Sequence, residues 1–160
     1  MSDKANYRPE GYHNVTPYIC VDGAARAIEF YKEAFGATEI MRMEAPGGGK
    51  IGHAEIRIGD SVIMLADEHP ELDFRSPHTV GGSSAHFMIY DEDVDARVER
   101  AIAAGAKLTR PVKDQFYGDR AGGVQDPFGH HWHIATHVED LSPEEVRRRM
   151  DAEMAKGSAA

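Results

Sequence analysis

This sequence has one cysteine, one tryptophan and no apolar run near the ~20 residues that a membrane span needs. A lone Cys20 cannot close an internal disulfide, which suits a reducing, cytoplasmic setting. Nothing beside Cys20 in sequence would activate its thiol, so a catalytic cysteine is not expected. The opening segment MSDKANYRPEGYHN has no hydrophobic centre, so no secretory signal is expected, and the Met1–Glu10 arm is expected to fray. Basic clusters are scarce as well. The run Arg147, Arg148 and Arg149 sits among Glu144, Glu145, Asp151 and Glu153, the pattern of a solvated helix face. At a net charge of −9 the chain repels phosphate backbones, so neither nucleic acid nor membrane is an expected partner. Also missing are a P-loop, a CxxC pair, a Ser–His–Asp arrangement and a Gly-rich nucleotide-binding turn, so the sequence offers no signature for those chemistries. What remains is an ordinary globular balance, 41% hydrophobic and 28% charged over 160 residues, enough for one domain or two small modules.

Periodicity organises the chain into two similar halves. Val15–Val21 alternates, with Val15, Pro17, Ile19 and Val21 on one face and Thr16, Tyr18 and Cys20 on the other, which predicts a strand. Ala24, Ala27, Ile28, Tyr31, Ala34 and Phe35 recur at helical spacing up to a stop at Gly36. Strands are predicted over Thr38–Met43, Ile51–Ile58 and Ser61–Ala66, the last two joined by a Gly59-Asp60 hairpin turn. The stretch Glu68–Ser84, rich in Pro, Gly, Ser and His, reads as a surface linker. The order then restarts: a strand over Ala85–Tyr90, a helix marked by Val94, Val98, Ala101 and Ile102 and stopping at Gly105, and strands over Lys107–Arg110, Arg120–Gln125 and His130–His137. A loop over Pro111–Asp119 and the turn Asp126-Pro127-Phe128-Gly129 separate these strands. Gly36 and Gly105 lie 69 residues apart, so the reading is an internal βαβββ repeat. Ser142-Pro143-Glu144-Glu145 signals a last helix over about 143–155, with Ser142 as N-cap and Val146, Met150 and Met154 as a narrow apolar stripe.

The segments VDGAARAIEFYKEAFGA, IGHAEIRIGDSVIMLADE, YDEDVDARVERAIAAGA and DQFYGDRAGGVQDPFGHHWHIATHVED together resemble the PhnB-like branch of the vicinal oxygen chelate superfamily, which unites glyoxalases, bleomycin-resistance proteins and extradiol dioxygenases. The resemblance implies an α+β, glyoxalase-like fold in which two βαβββ modules form a cup-shaped mixed sheet, followed by a C-terminal helix. The modules would span about 13–67 and 85–138, with the linker over 68–84. It also implies a homodimer and a small-molecule ligand. Metal-dependent relatives carry one ligand on the first strand and one on the last strand of each module. Those positions fall on His86, 19 residues before Gly105, and His133, four residues after Gly129. In the first module they fall on Thr16, after a one-residue slip from Pro17, and on Met64.

The hairpin register adds a third donor. If Ile58 opposes Ser61, then Glu55 opposes Met64 on one face, with His53 and Arg57 beside it. His86, His133 and Glu55 then make a two-His, one-carboxylate set suited to a divalent metal such as Zn, Fe, Mn or Ni. His131 and Tyr90, on the same face, are the candidates for moving a proton. Tyr18, Met64, Met88, Phe116, Tyr117 and Arg120 are candidates for substrate binding, Arg120 as an anion clamp if Gln125 faces His130. Trp132, on the opposite face from His133, is a core residue. Three functions compete: a metal-dependent lyase, isomerase or dioxygenase acting on a small oxygen-bearing substrate; a metal-free sequestration protein of the bleomycin-resistance type, with cationic ligands favoured by the acidic charge; and a scaffold without small-molecule chemistry.

Overall fold

A computed structural model describes residues 5–157. Its elements follow the expected order. The first set is β1 (Tyr18–Val21), α1 (Ala24–Phe35), β2 (Thr38–Glu44), β3 (Ile51–Ile58) and β4 (Ser61–Asp67). The second is β5 (His86–Tyr90), α3 (Val94–Ala103), β6 (Lys107–Asp114), β7 (Asp119–Gln125) and β8 (His131–His137). Between them lie a 3-10 turn (Pro70–Leu72) and a short helix α2 (Pro77–Val80), and α4 (Pro143–Gly157) follows. The fold is α+β with two four-stranded mixed sheets, ordered β1-β4-β3-β2 and β5-β8-β7-β6. By its contacts the chain forms two compact units. One runs up to Ser83 and takes in Pro127–Gly129; the other comprises Ser84–Asp126 and the chain from His130.

In each sheet the first strand pairs in parallel with the last, and the other neighbours run antiparallel. The first pair aligns Tyr18 with Met64, and the second aligns Met88 with His133. Counting back two residues equates Thr16 with His86, so the ladder supports the repeat alignment that gave Met64 and His133 the same place. Ile58 opposes Ser61 and Glu55 opposes Met64, as the Gly59-Asp60 turn predicts.

Alternation then divides each sheet between a helix-covered face and a far face. In the first unit α1 buries Ala24, Ala27, Ile28, Tyr31, Ala34 and Phe35, the six positions of the predicted stripe. The sheet contributes Val21, Ala54, Ile56 and Leu65, all fully buried. Phe128 joins this core with its ring 6.1 Å from Phe30 and 6.3 Å from Tyr31. In the second unit Val94, Val98 and Ala101 of α3 are buried, as are Val124, Trp132 and Ile134 of the sheet. The predicted stripe residue Ile102 stays exposed because α3 buries a narrower arc.

The helix starts reveal the repeat again. Gly23, at φ 104°, has no side chain to cap α1. Asp67, on the last strand, accepts from the backbone N–H groups of Gly23 and Ala24 at 2.8 Å each and of Ile51 at 2.7 Å. In the second unit Thr136, also on the last strand, accepts from Val94 N at 3.0 Å, and Asp93 caps Ala96. Both devices satisfy donors that a helix N-terminus leaves without intrahelical partners.

Several boundaries differ from expectation. β1 begins at Tyr18, not Val15, and Val15 is exposed, although the bond from Met64 N to Pro17 O extends the ladder by one residue. β6 runs on through Pro111 to Asp114, which shortens the expected loop to a turn over 115–118. Pro111 is tolerated because β6 is an edge strand. The linker carries its own order, with Ser76 buried as the N-cap of α2. Within the described part of the N-terminal arm, Arg8 donates to Asn14 at 2.8 Å and Tyr12 N to Pro9 O at 3.3 Å, while Met1–Lys4 of the arm expected to fray lie outside the described residues.

Candidate functional site

The far face of the second sheet gathers an imidazole cluster. β5 places His86, Met88 and Tyr90 there, and β8 places His131 and His133, because paired residues in the ladder share a face. His86 Nδ1 lies 2.9 Å from His133 Nε2. The His131 ring stacks on His86 at 4.7 Å, and the His133 ring lies 5.1 Å from it. Burial pushes the His133 pKa down, with neighbouring His86, Arg110 and His131 adding in the same direction, so the ring is held neutral. Opposite His133 stands Gly123, the counterpart of Glu55, and a Cβ there would lie 3.6 Å from His133 Nδ1.

Tyr90 is exposed and its hydroxyl donates to Asp119 at 3.4 Å. The charge on Asp119 is the main cause of a raised Tyr90 pKa. Phe116 and Tyr117 sit in the β6–β7 turn and pack on each other with rings 5.2 Å apart. Arg120 does not reach this face. Gln125 opposes His131 rather than His130, so Arg120 opposes Thr136 and turns to the α3 side, where it bonds Asp95 at 2.7 and 2.9 Å and Asp114 at 3.1 Å. A one-residue slip in register moves a side chain to the other face. The expected anion clamp is therefore corrected to an ion pair tying β7 to α3.

The first unit holds a different polar group on its far face. Tyr18 Oη lies 2.9 Å from His53 Nδ1, and His53 Nε2 lies 3.1 Å from Glu55 Oε1. Glu55 Oε2 accepts from the Tyr12 hydroxyl. Burial pushes the Glu55 pKa up, but the bonds from Tyr12 and His53 outweigh it, and the carboxyl ends below its ordinary value. Beside this chain is a cleft of about 440 Å³ lined by Tyr7, Arg8, Tyr12, Asn14, Thr16 and Met64, among others. Cys20 is buried nearby, and burial above all pushes its thiol up to about 12, which leaves no reactive thiolate.

The donor set can be tested against a divalent metal. Two nitrogens ~2.0–2.1 Å from one ion at 90–110° stand roughly 2.9–3.4 Å apart, and the His86–His133 separation of 2.9 Å falls in that range. These two imidazoles fit as a pair of ligands. The positions equivalent to them in the first module carry Thr16, whose hydroxyl donates to His13 O at 3.0 Å, and Met64. Both oxygens of Glu55 are engaged by Tyr12 and His53. Among the described residues no group of three His, Cys, Asp or Glu side chains is close enough to hold an ion. The sequence pattern reached each of these donors but missed that His53 and Tyr12 claim Glu55; the i, i+2 spacing of His53 and Glu55 on one strand was the available signal.

Comparison with known proteins agrees with this architecture. The model of the Glyoxalase/Bleomycin resistance protein/Dioxygenase superfamily matches residues 12–134. An uncharacterised protein of Mycobacterium bovis is 38% identical over 142 residues, which cover 87% of this chain and 93% of that protein. A lactoylglutathione lyase of Arabidopsis thaliana is 32% identical over 108 residues, 66% of this chain and 37% of the enzyme. The X-ray structure of an Arabidopsis thaliana gene product superposes with a TM-score of 0.61 at 27% identity, covering 78% of this chain and 98% of that one. The chain therefore belongs to the glyoxalase/bleomycin resistance protein/dioxygenase superfamily.

Proposed function

We propose that this chain is a glyoxalase-like small-molecule protein that binds a small, oxygen-bearing ligand without a metal, on the far face of β5 and β8. The observation that carries this reading is the donor set: Met64 stands where His133 would have its counterpart, and the carboxylate nearest Met64 in the ladder is already bonded to Tyr12 and His53. Thioether sulfur is a soft ligand, ill-matched to Mg or Mn. The imidazole cluster supplies donors and acceptors, Met88 supplies an apolar contact, and Tyr90 and His131 can exchange hydrogen bonds or a proton with a ligand oxygen. Native mass spectrometry of protein purified without an affinity tag tests the reading. A small molecule should be retained by the wild type and lost from His131→Ala; identical spectra for the two proteins would refute the placement.

A second reading rests on the convergence of His86 Nδ1 and His133 Nε2. These two residues would hold Zn, Fe, Mn or Ni, with solvent or substrate completing the shell. A bound ion would act as a Lewis acid on a ligand oxygen. Tyr90 and His131 would then serve to position the ligand and carry its proton. Calorimetric titration with Zn²⁺, Mn²⁺ and Ni²⁺ separates the readings. Binding weaker than about millimolar, roughly 4 kcal/mol, favours the metal-free protein. Stoichiometric binding tighter than that, abolished by His133→Ala, favours the metal-dependent one.

A further inference from the structure

The second sheet is interrupted on the face that carries His86, His131 and His133. β6 pairs Lys107 with Gln125, Leu108 with Val124 and Arg110 with Gly123, so the register shifts by one residue between Leu108 and Arg110. Thr109 is the extra residue, and a bulge of this kind sets two side chains against one residue of the partner strand. Gly123 is that residue. A Cβ on it would lie 3.0 Å from Thr109 Oγ1, 3.4 Å from Arg110 Cβ and 3.6 Å from His133 Nδ1. His133 opposes Gly123 from the other side, on β8. Gly123 does not have a positive φ, so the backbone there does not call for glycine; the spacing does. Without a side chain at 123, three polar residues from two strands close in on one point. A glycine inside a strand often marks a bulge or a close approach, and this one marks both.

These three groups have no partners of their own. Among the described residues, the Thr109 hydroxyl, the Arg110 guanidinium and His133 Nδ1 make no hydrogen bond or ion pair. His133 meets His86 through its other nitrogen, Nε2, at 2.9 Å. Elsewhere Arg42, Arg97, Arg120, Arg148 and Arg149 each hold a carboxylate. Among the described strand residues sharing this face, the one carboxylate is Asp119, and His137 engages it at 2.7 Å. The face is thus locally cationic, although the chain has a net charge of −9. Charges on an edge strand also discourage pairing with other chains. That role accounts for the exposed Lys107 and Lys113, at the rungs of Gln125 and Ala121. It does not account for a hydroxyl and an imidazole nitrogen that gather beside Arg110 over a glycine.

We propose, resting on the placement of a ligand on the far face of β5 and β8 given above, that Thr109, Arg110 and His133 form a carboxylate-binding site and that the ligand is a small carboxylic acid bound as its anion. The guanidinium supplies the charge and two parallel N–H donors, a fork that matches the two oxygens of a carboxylate. Thr109 donates through a hydroxyl that rotates to suit. With His86 donating from Nδ1, His133 accepts at Nε2 and carries its proton on Nδ1, so it donates to the same group. One guanidinium balances one negative charge, which favours a carboxylate over a doubly charged phosphoryl group. The rest of the ligand lies towards β5, where Met88, paired with His133, offers an apolar contact.

The test titrates benzoate into ¹⁵N-labelled protein at fixed ionic strength, with benzamide as the neutral isostere and phenylphosphonate as the doubly charged analogue. Benzoate should shift the Arg110 Nε–H, the Thr109 amide and the His133 ring signals along one saturable curve, and benzamide should not. Arg110→Gln and Thr109→Val should each weaken benzoate on the order of tenfold or more, the loss of a hydrogen bond to a charged group. Lys113→Gln removes the same charge elsewhere on β6 and should change the affinity less than twofold. Gly123→Ala, whose Cβ would meet Thr109 Oγ1 at 3.0 Å, should weaken benzoate while circular dichroism stays unchanged. Equal binding of benzamide, tighter binding of phenylphosphonate, or equal losses in Arg110→Gln and Lys113→Gln would each overturn the proposal. Failure here is separable from failure of the placement. A small molecule lost from His131→Ala but kept by Arg110→Gln leaves the placement standing and refutes the carboxylate site. Benzoate held at Arg110, with no molecule lost from His131→Ala, refutes the placement and leaves the carboxylate site standing.

Discussion

At the scale of single residues, two histidines on β8 should titrate in opposite directions. Burial first, and then neighbouring His86, Arg110 and His131, depress His133 below its ordinary value of 6.5. Hydrogen bonds to Asp119 at 2.7 Å and Asp140 at 3.0 Å raise His137 above it. The signs for stability follow by linkage. His133 contributes stability that is present above the unfolded value and lost as pH falls through its lower folded pKa. His137 contributes stability that is present below the unfolded value and lost as pH rises through its higher folded pKa. Two-dimensional NMR titration should show His133 deprotonating at lower pH than His137. Asp119→Asn should bring His137 back towards 6.5 and leave His133 in place; equal shifts in both would contradict the assignment of cause. The same scale shows what sequence could and could not reveal. That His86 and His133 meet follows from strand alternation and repeat position, both legible in one chain. That Arg120 turns away depends on a three-residue turn, Pro127-Phe128-Gly129, where a four-residue one was expected. Its length is set by Asp126, which bonds His130 N at 2.9 Å and Trp132 Nε1 at 2.8 Å. Such a side-chain clasp has no periodicity to give it away.

At the scale of elements, the hairpin between β3 and β4 was legible because a two-residue Gly-Asp turn leaves one register open. Strand β1 was less so: alternation continued back to Val15, but parallel pairing with β4 ends near Pro17, and alternation does not record where a partner stops. The joints between elements carry the next predictions. Asp67 is buried and receives three backbone donors, from both ends of the α1 start and from β3. Asp67→Ala removes a helix cap and leaves donors unsatisfied, a loss of roughly 2–4 kcal/mol. The urea midpoint should fall accordingly without a change in slope. A variant as stable as the wild type would show that water replaces the carboxylate. Gly129 stands at φ 92°, and a Cβ there would come within 2.7 Å of Pro77 Cβ. Gly129→Ala should therefore cost about 1–3 kcal/mol through backbone strain, measured by the same denaturation, and a neutral result would show that α2 yields easily.

At the scale of the whole molecule, the edges of the sheets bear on assembly. β2 ends the first sheet and pairs only with β3 among the described strands, yet Ile40, Met41 and Met43 on it are 41%, 36% and 52% exposed. An edge strand with unpaired backbone groups and apolar side chains is a site for pairing with another chain unless something covers it. The last helix repeats the pattern: α4 buries none of its residues, and Met154 is 66% exposed. Its N-terminus is well made, with Ser142 Oγ accepting from Glu145 N at 3.2 Å, and Glu145, its pKa lowered to about 2 by Arg148 and then Arg149, bridges both arginines. The cap and the ion pairs of Glu145 and Arg149 hold α4, and its stripe residue Met154 reaches the surface. A second copy of the chain would cover the exposed apolar side chains of β2, and at a net charge of −9 apolar surface suits such a contact better than like-charged surface. We expect a homodimer that buries more than ~1,000 Å² in total. Light scattering at micromolar concentration should return twice the chain mass of 17.6 kDa. Ile40→Lys, a charge placed on the exposed edge, should shift the protein towards monomer while its circular dichroism stays unchanged. A wild-type protein that sediments as a monomer at those concentrations would end the dimer reading, and a dimer indifferent to Ile40→Lys would move the interface away from β2.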